Sequence, residues 1–424
     1  MRNRRVMQCA TALLTASWLL CSSVTFAAEL SLNEAVDLAL SRNPKIKIAL
    51  KGEEKAKANL DSAKGIQKPS ISASTSMGIS DVNDVGSTRN NSNRLQLSLP
   101  LYTGGKNEMT IAKAVDTVTS SELGLQLAKE NLILETVLAY YKILETQKIV
   151  KVDAETVNNY QKHLQNVQQL FAAGSTPKVD LLRSEVELVN AEQKLLKAQN
   201  NYDVAVSTLK SIIKMDDNET LSLTDEAPYT VYDLSLAECI DFARSNRKDL
   251  MQSQVALRQA EKDVEIAKSG KLPSVSLGVS NGWDKQLLPD NDNHSLTASV
   301  SASWNIFDGN ITNANIKAAE IAVEEAQLTL EKDTDAAELE VREAYLNMKE
   351  AEKRFHTTKV AVQKAEEDAY IATEKYRVGE GIMLDIIDAQ LSLSTAKTNY
   401  IQAQYDYVTY KAKLKNAIGN SEVA

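Results

Sequence analysis

The chain is poor in residues that turn a backbone. Its 424 residues include 15 Gly and 7 Pro, about 5% where about 12% is ordinary. Every element of a sandwich or an α/β enzyme needs a turn, so this shortage excludes folds built of many short elements. Aromatic residues are only 5%, lean for one large globular core. His is scarce too: His163, His294 and His356 stand far apart, without metal-ligand spacing. Thr103-Gly104-Gly105-Lys106 lacks the spacing of a phosphate loop, and no G-x-S-x-G nucleophile signature occurs. The sequence therefore predicts no enzyme and no cofactor.

What is present points to long helices. Hydrophobic residues make up 43% and charged residues 25%, the balance of a folded chain. Residues 310–378, 178–227 and 382–418 contain neither Gly nor Pro, and 106–173 contains only Gly124. A helix of about 68 residues would be roughly 100 Å long, whereas globular helices rarely exceed about 25 residues. Such rods must pack lengthwise against other rods.

The first 27 residues read as a secretory signal peptide. Arg2, Arg4 and Arg5 precede an apolar run at 10–20, and Thr25-Phe26-Ala27 offers a small-residue cleavage site. The run is short for a membrane anchor. Leu20 before Cys21 is a poor lipoprotein site. Cleavage would leave Cys239 as the single Cys, with no internal disulfide. It would also move the net charge from −9 to −12 by removing three Arg, a poor balance for binding nucleic acid.

The remainder repeats itself. Leu30-Ser31-Leu32-Asn33-Glu34 returns 204 residues later as Leu234-Ser235-Leu236-Ala237-Glu238, and Lys68-Pro69-Ser70 as Leu272-Pro273-Ser274. Further on the shift is 205: Leu101-Tyr102-Thr103-Gly104 returns as Ile306-Phe307-Asp308-Gly309, and Gly174 and Asp180 as Gly379 and Asp385. A near-constant shift over the whole chain predicts two repeats, 28–229 and 230–424. Each reads as helix, strand, strand, long helix, helix. The strands are expected at about 69–80, 94–102, 273–282 and 295–307. The long helices are expected at about 105–172, 177–214, 310–378 and 382–418. Ser31-x-x-Glu34 and Ser235-x-x-Glu238 are capping boxes. Pro44 is expected to bend the first opening helix, while Lys248 in its place leaves the second straighter.

The four strands alternate. Leu95, Leu97, Leu99 and Leu101 oppose Gln96 and Ser98; Leu296, Ala298, Val300 and Ala302 oppose Thr297, Ser299 and Ser301. Period two puts each set on its own face. Ten-residue segments with one aliphatic and one Ser/Thr face, uncharged in their central spans, have the pattern of transmembrane strands. Tyr102, Trp304 and Phe307 sit at strand ends, where an interfacial aromatic belt would lie. Four strands cannot close a barrel, and open edges in lipid leave amides unsatisfied, so the chain must oligomerise. Three copies give twelve strands. The connections 81–93 and 283–294 read as polar outer loops; Asp290-Asn291-Asp292-Asn293 lacks the later Gly and Glu of a Ca²⁺ loop.

Across essentially the whole mature chain the sequence resembles the TolC-type outer-membrane efflux proteins. The most specific stretches are Ala39-Leu40-Ser41-Arg42-Asn43-Pro44 and Tyr376-Arg377-Val378-Gly379-Glu380-Gly381, the latter followed by Leu384-Asp385-Ile386-Ile387-Asp388-Ala389. The resemblance implies a mainly α fold with a membrane β-barrel portion: a homotrimer with a twelve-stranded barrel in outer-membrane lipid, continued by a twelve-helix periplasmic tube. It implies partners as well, a periplasmic adaptor and, through it, an inner-membrane pump or ABC transporter. The expected function is a passive export duct of a tripartite efflux or type I secretion system. The alternative is a periplasmic coiled-coil spacer without a pore, which would not need the alternating strands.

Two helix–turn–helix tips, 171–182 and 376–387, then become the candidate sites. In the first, Thr176 can cap and Pro177 suits the first helical position. By resemblance the tips form the periplasmic end and receive the adaptor, with Gly174, Ser175, Thr176, Val179, Gly379, Glu380, Gly381 and Leu384 as docking residues. Asp385 and Asp388 share a helix face; threefold symmetry would set them, with Asp180, around the aperture. The rival reading makes these aspartates ordinary helix-start charges. Some family members carry Arg in place of Gly381, linked to an aspartate matching Asp180. That link is absent here.

Overall fold

The computed structural model describes residues 28–82, 86–226, 229–288 and 290–420; the expected signal segment, 1–27, lies outside them. The chain runs β1 (Ala28–Leu30), α1 (Leu32–Arg42), α2 (Pro44–Gly65), β2 (Ser70–Val82), β3 (Gly86–Tyr102), α3 (Lys106–Ala172), α4 (Lys178–Ile213) and β4 (Leu221–Leu223). It continues α5 (Leu236–Asn246), α6 (Lys248–Lys268), β5 (Ser274–Leu288), β6 (Asp290–Ser303), α7 (Ile311–Arg377) and α8 (Met383–Ala417). Both α3 and α7 have 67 residues, about 100 Å of unbroken helix at 1.5 Å per residue. Positive φ recurs at the 205-residue shift: Gly104, Gly105, Gly174 and Lys214 return as Gly309, Asn310, Gly379 and Gly419. Both capping boxes form, at Ser31 with Glu34 and at Ser235 with Glu238.

The sheet order is β2-β3-β5-β6, all antiparallel. Residues opposite one another in a ladder point to the same side. Ile71, Leu97, Val279 and Ala298 form one rank, and Leu99, Leu277 and Val300 another. The opposite face carries Ser70, Ser98, Gly278 and Ser299, then Ser72, Gln96, Ser280 and Thr297. The aliphatic face is bare: Ile71, Leu296 and Val300 are 70%, 76% and 66% exposed. Among the described residues, edges β2 and β6 lack partner strands. The strands exceed their expected lengths, because 86–93, 283–288 and 290–294 pair in the ladder rather than forming outer loops. Arg94 thus lies inside β3, on the hydroxyl-rich face. Tyr102 ends β3, while exposed Trp304 and Phe307 follow β6 at the sheet–helix boundary.

The helices form one layer. Near the sheet the neighbours run α2-α3-α6-α7; farther away they run α4-α3-α8-α7. The layer therefore ends in α2 and α4 on one side and α7 on the other. A girdle of buried side chains, including Val36, Tyr140, Leu209, Val341, Met348 and Leu414, packs these helices together at mid-height.

Lys248 in place of Pro44 does not leave the second opening helix straighter; both opening helices break. Asn43 is buried at the first break, where its Oδ1 accepts from Lys45 N at 2.9 Å and its Nδ2 donates to Ile212 O at 2.9 Å. Arg247 stands at the second break and donates to Ala417 O at 2.8 Å, Asp249 Oδ2 at 2.6 Å and Glu340 Oε2 at 2.7 Å. Each break thus supplies donors to the free C-terminal carbonyls of a returning helix, α4 or α8. Pro44 accompanies the first break but does not decide it.

Candidate functional site

The tips share one backbone design. Gly174 has φ 73° and Gly379 φ 81°, the left-handed region that glycine enters without a Cβ penalty. Ser175 N donates to Leu170 O at 2.8 Å and Gly174 N to Phe171 O at 3.0 Å. Glu380 N donates to Lys375 O at 2.9 Å and Gly379 N to Tyr376 O at 3.1 Å. Each pair is a Schellman closure that satisfies the last carbonyls of a long helix. A Cβ at Gly174 or Gly379 would meet nothing within 4 Å. Their requirement is conformational and does not come from close approach within the chain.

The side chains differ between tips. Pro177 is the residue before α4 rather than its first residue, and Thr176 makes no cap to the backbone. Instead Thr176 Oγ1 donates to Asp180 Oδ2 at 3.1 Å. In the second tip Gly381, not Gly379, is confined: a Cβ there would lie 3.0 Å from Tyr376 N and 3.1 Å from Lys375 Cβ. Arg377 pairs with Glu374 at 2.7 Å on its own helix and leaves Asp180 alone. Asp385 turns back on the start of α8, where Ile382 N donates to its Oδ2 at 3.2 Å. Asp388 is exposed. The Tyr160 hydroxyl is pushed up to about 12, chiefly by burial and then by the nearby Glu187 and Asp388 carboxylates. Ser175, Val179, Glu380 and Leu384 lie exposed at the surface of the tips.

A hub that sequence reasoning missed joins the two tips. Val167 of α3, fully buried, packs with Met383 and Ile387 of α8, Leu181 of α4 and Tyr376 of α7. His163 Nε2 lies 2.9 Å from Met383 Sδ, and its ring centroid is 5.7 Å from that of Tyr376. Burial lowers the His163 pKa. His163 and Met383 are 220 residues apart, so no local pattern could have paired them. Among the described residues no group of three or more His, Cys, Asp and Glu is placed to hold a metal ion, and no helix is long and apolar enough to cross a membrane.

The family described as outer membrane efflux protein matches residues 35–213 and 239–420. The chain is 22% identical to outer membrane protein TolC of Escherichia coli over 358 residues, covering 81% of this chain and 72% of that protein. It is 20% identical to outer membrane efflux protein BepC of Brucella suis, covering 96% and 90%. Its fold resembles the crystal structure of the Campylobacter jejuni CmeC outer membrane channel, with a TM-score of 0.82 and 20% identity over 92% of this chain and 86% of that one.

Proposed function

Because the chain belongs to the outer membrane efflux protein family, we propose that it is the passive trimeric duct of a tripartite efflux or type I secretion assembly. It is an outer-membrane transport protein with its helices in the periplasm. The observation that carries the finer reading is the sheet, with its bare aliphatic face, hydroxyl-rich opposite face and two open edges. An open edge in hydrocarbon is untenable, so β6 of one copy pairs with β2 of the next. The same head-to-tail step brings α7 against α2 and α4, and closes as a ring. Three copies make a twelve-stranded barrel within the size range of such barrels, above a twelve-helix tube. Exposed Leu182, Val186, Val189 and Leu196 on α4, and Leu346 and Val360 on α7, are the apolar stripes this step would cover. A spacer without a pore would have no use for a two-faced sheet.

The tips are then the periplasmic end, docking an adaptor at Gly174, Ser175, Thr176, Val179, Gly379, Glu380, Gly381 and Leu384. An inner-membrane pump or ABC transporter supplies the energy. Asp180, Asp385 and Asp388 surround the aperture, where facing carboxylates favour cations. Native mass measurement of the detergent-extracted outer-membrane protein should give a trimer that conducts in planar bilayers. Asp385→Asn with Asp388→Asn should lower its cation preference. A monomer without conductance overturns the duct; unchanged selectivity in the double variant removes the aspartates from the aperture.

A further inference from the structure

We propose that the rings of this duct are locked by a charged seam, in which a lysine row on α2 of one copy meets a glutamate row on the first half of α7 of the next. The inference rests on the ring reading above and specifies its contact. Helix α2 carries six Lys against three acidic residues, in a chain of net charge −9. Lys47, Lys51 and Lys55, four residues apart, occupy one exposed face, opposite the buried Ala56 and Ala63 that pack on α3. Among the described residues Lys47 and Lys55 form no ion pair, and Lys51 has only the exposed Glu54 beside it.

The other open edge has the opposite sign. Residues 311–345 hold nine acidic residues against three basic ones. Glu324, Glu325 and Glu331 are exposed and form no ion pair among the described residues. They flank Ile321 and Leu328, 45% and 65% exposed, on the side of α7 away from the buried Ala337 and Val341.

The chain contains a template for the register. Within it α6 packs on α3, with Lys262 on Asp116, Lys113 on Asp263 at 2.6 Å and Gln259 on Thr117 at 3.1 Å. Helix α2 occupies in the first half the place of α6 in the second, and α7 the place of α3. Carrying those contacts over by 204 and 205 residues sets Lys47 against 330–332 of the neighbouring α7, Lys51 against 326–328 and Lys55 against 322–324. Glu331 and Glu324 fall inside the first and third windows, and Glu325 borders the second. The acidic row therefore matches the lysines in position as well as in sign. The same transfer from Asn159–Gln390 sets Val189 of α4 against Val360 of α7 in the lower half. One seam would thus be charged near the sheet and apolar toward the tips.

Two measurements test this on the full-length protein in detergent. Oxidation of a Lys55→Cys, Glu324→Cys variant should give covalent dimers and trimers, as should the control Val189→Cys, Val360→Cys. Reversing Lys47, Lys51 and Lys55 to Glu should weaken each contact by about tenfold at low salt. The difference should shrink at about 1 M salt. Adding Glu324→Lys, Glu325→Lys and Glu331→Lys should restore the trimer, which a folding defect in α2 would not allow. If the control pair links but the Lys55 pair does not, or if charge reversal leaves the trimer unchanged at every salt concentration, the charged seam is overturned while the duct stands. If the wild-type protein is monomeric and neither pair links, both fall.

Discussion

The two tips have the same backbone and fasten it by different means. At equivalent positions, 205 residues apart, the first has Thr176 and the second Gly381, the first Lys178 and the second Met383. Thr176 reaches Asp180 through one hydroxyl, and Lys178 stands in solvent. Gly381 is pressed against the end of α7, and Met383 is 4% exposed beside His163. The Schellman closure fixes the shape of a turn, whereas buried side chains fix how firmly that turn is held to its neighbours. The second tip is the anchored one and the first the looser.

Met383→Ala should have the largest effect. It removes a buried side chain from the hub and should cost about 2–5 kcal/mol of local stability, read as faster hydrogen exchange across 376–387. Lys178→Ala, its counterpart, should leave exchange in the first tip nearly unchanged; equal losses would break the contrast. Next comes Gly381→Ala, whose methyl group meets backbone at 3.0 Å and should cost about 1–3 kcal/mol. Thr176→Ala forfeits one half-buried hydrogen bond, about 1 kcal/mol. The confinement of Gly381 also means that an arginine placed there would distort the turn before it could reach Asp180.

Gly174→Ala and Gly379→Ala should each cost about 1–2 kcal/mol, because both force a Cβ into the left-handed region. Here the tips should agree, and unequal costs would show that the closures are not equivalent. The smallest effect concerns pH. Burial lowers the folded His163 pKa below its ordinary 6.5, so the unfolded state binds the proton first. The hub is fully stable above that value and loses stability as the pH falls through the folded one. Protection of the second tip against hydrogen exchange, normalised for the intrinsic pH dependence of the amides, should fall as the pH drops below 6.5, and His163→Gln should flatten that dependence.

The long helices were legible because breakers are absent from their interiors and present at their ends, so Gly174 and Gly379 mark the turns directly. The facing of the strand residues was legible from period two. Strand length was not: Asn90, Asn91, Ser92 and Asn93 look like a loop by composition, yet cross-strand pairing recruits them into β3. The break at Arg247 was hidden for a different reason. Arg247 there meets the Ala417 carbonyl, 170 residues away, and no local breaker announces it. The tip hub and the order of the helices in the layer are likewise long-range facts. Sequence located the candidate turns, while their fastening had to come from packing.

The alternation of unbroken and broken helices has a mechanical consequence. α3 and α7 are continuous struts from sheet to tip, whereas the members beside them are assembled in segments. The latter meet end to end at Asn43 with Ile212 and at Arg247 with Ala417. A wall whose stiff staves alternate with jointed ones resists axial compression, since load passes down the struts. At the joints that path is interrupted, and load crosses by contact instead. Both joints lie inside the mid-height girdle, where Ile212, Ile213 and Ala417 are buried, so packing rather than backbone continuity carries the load across them.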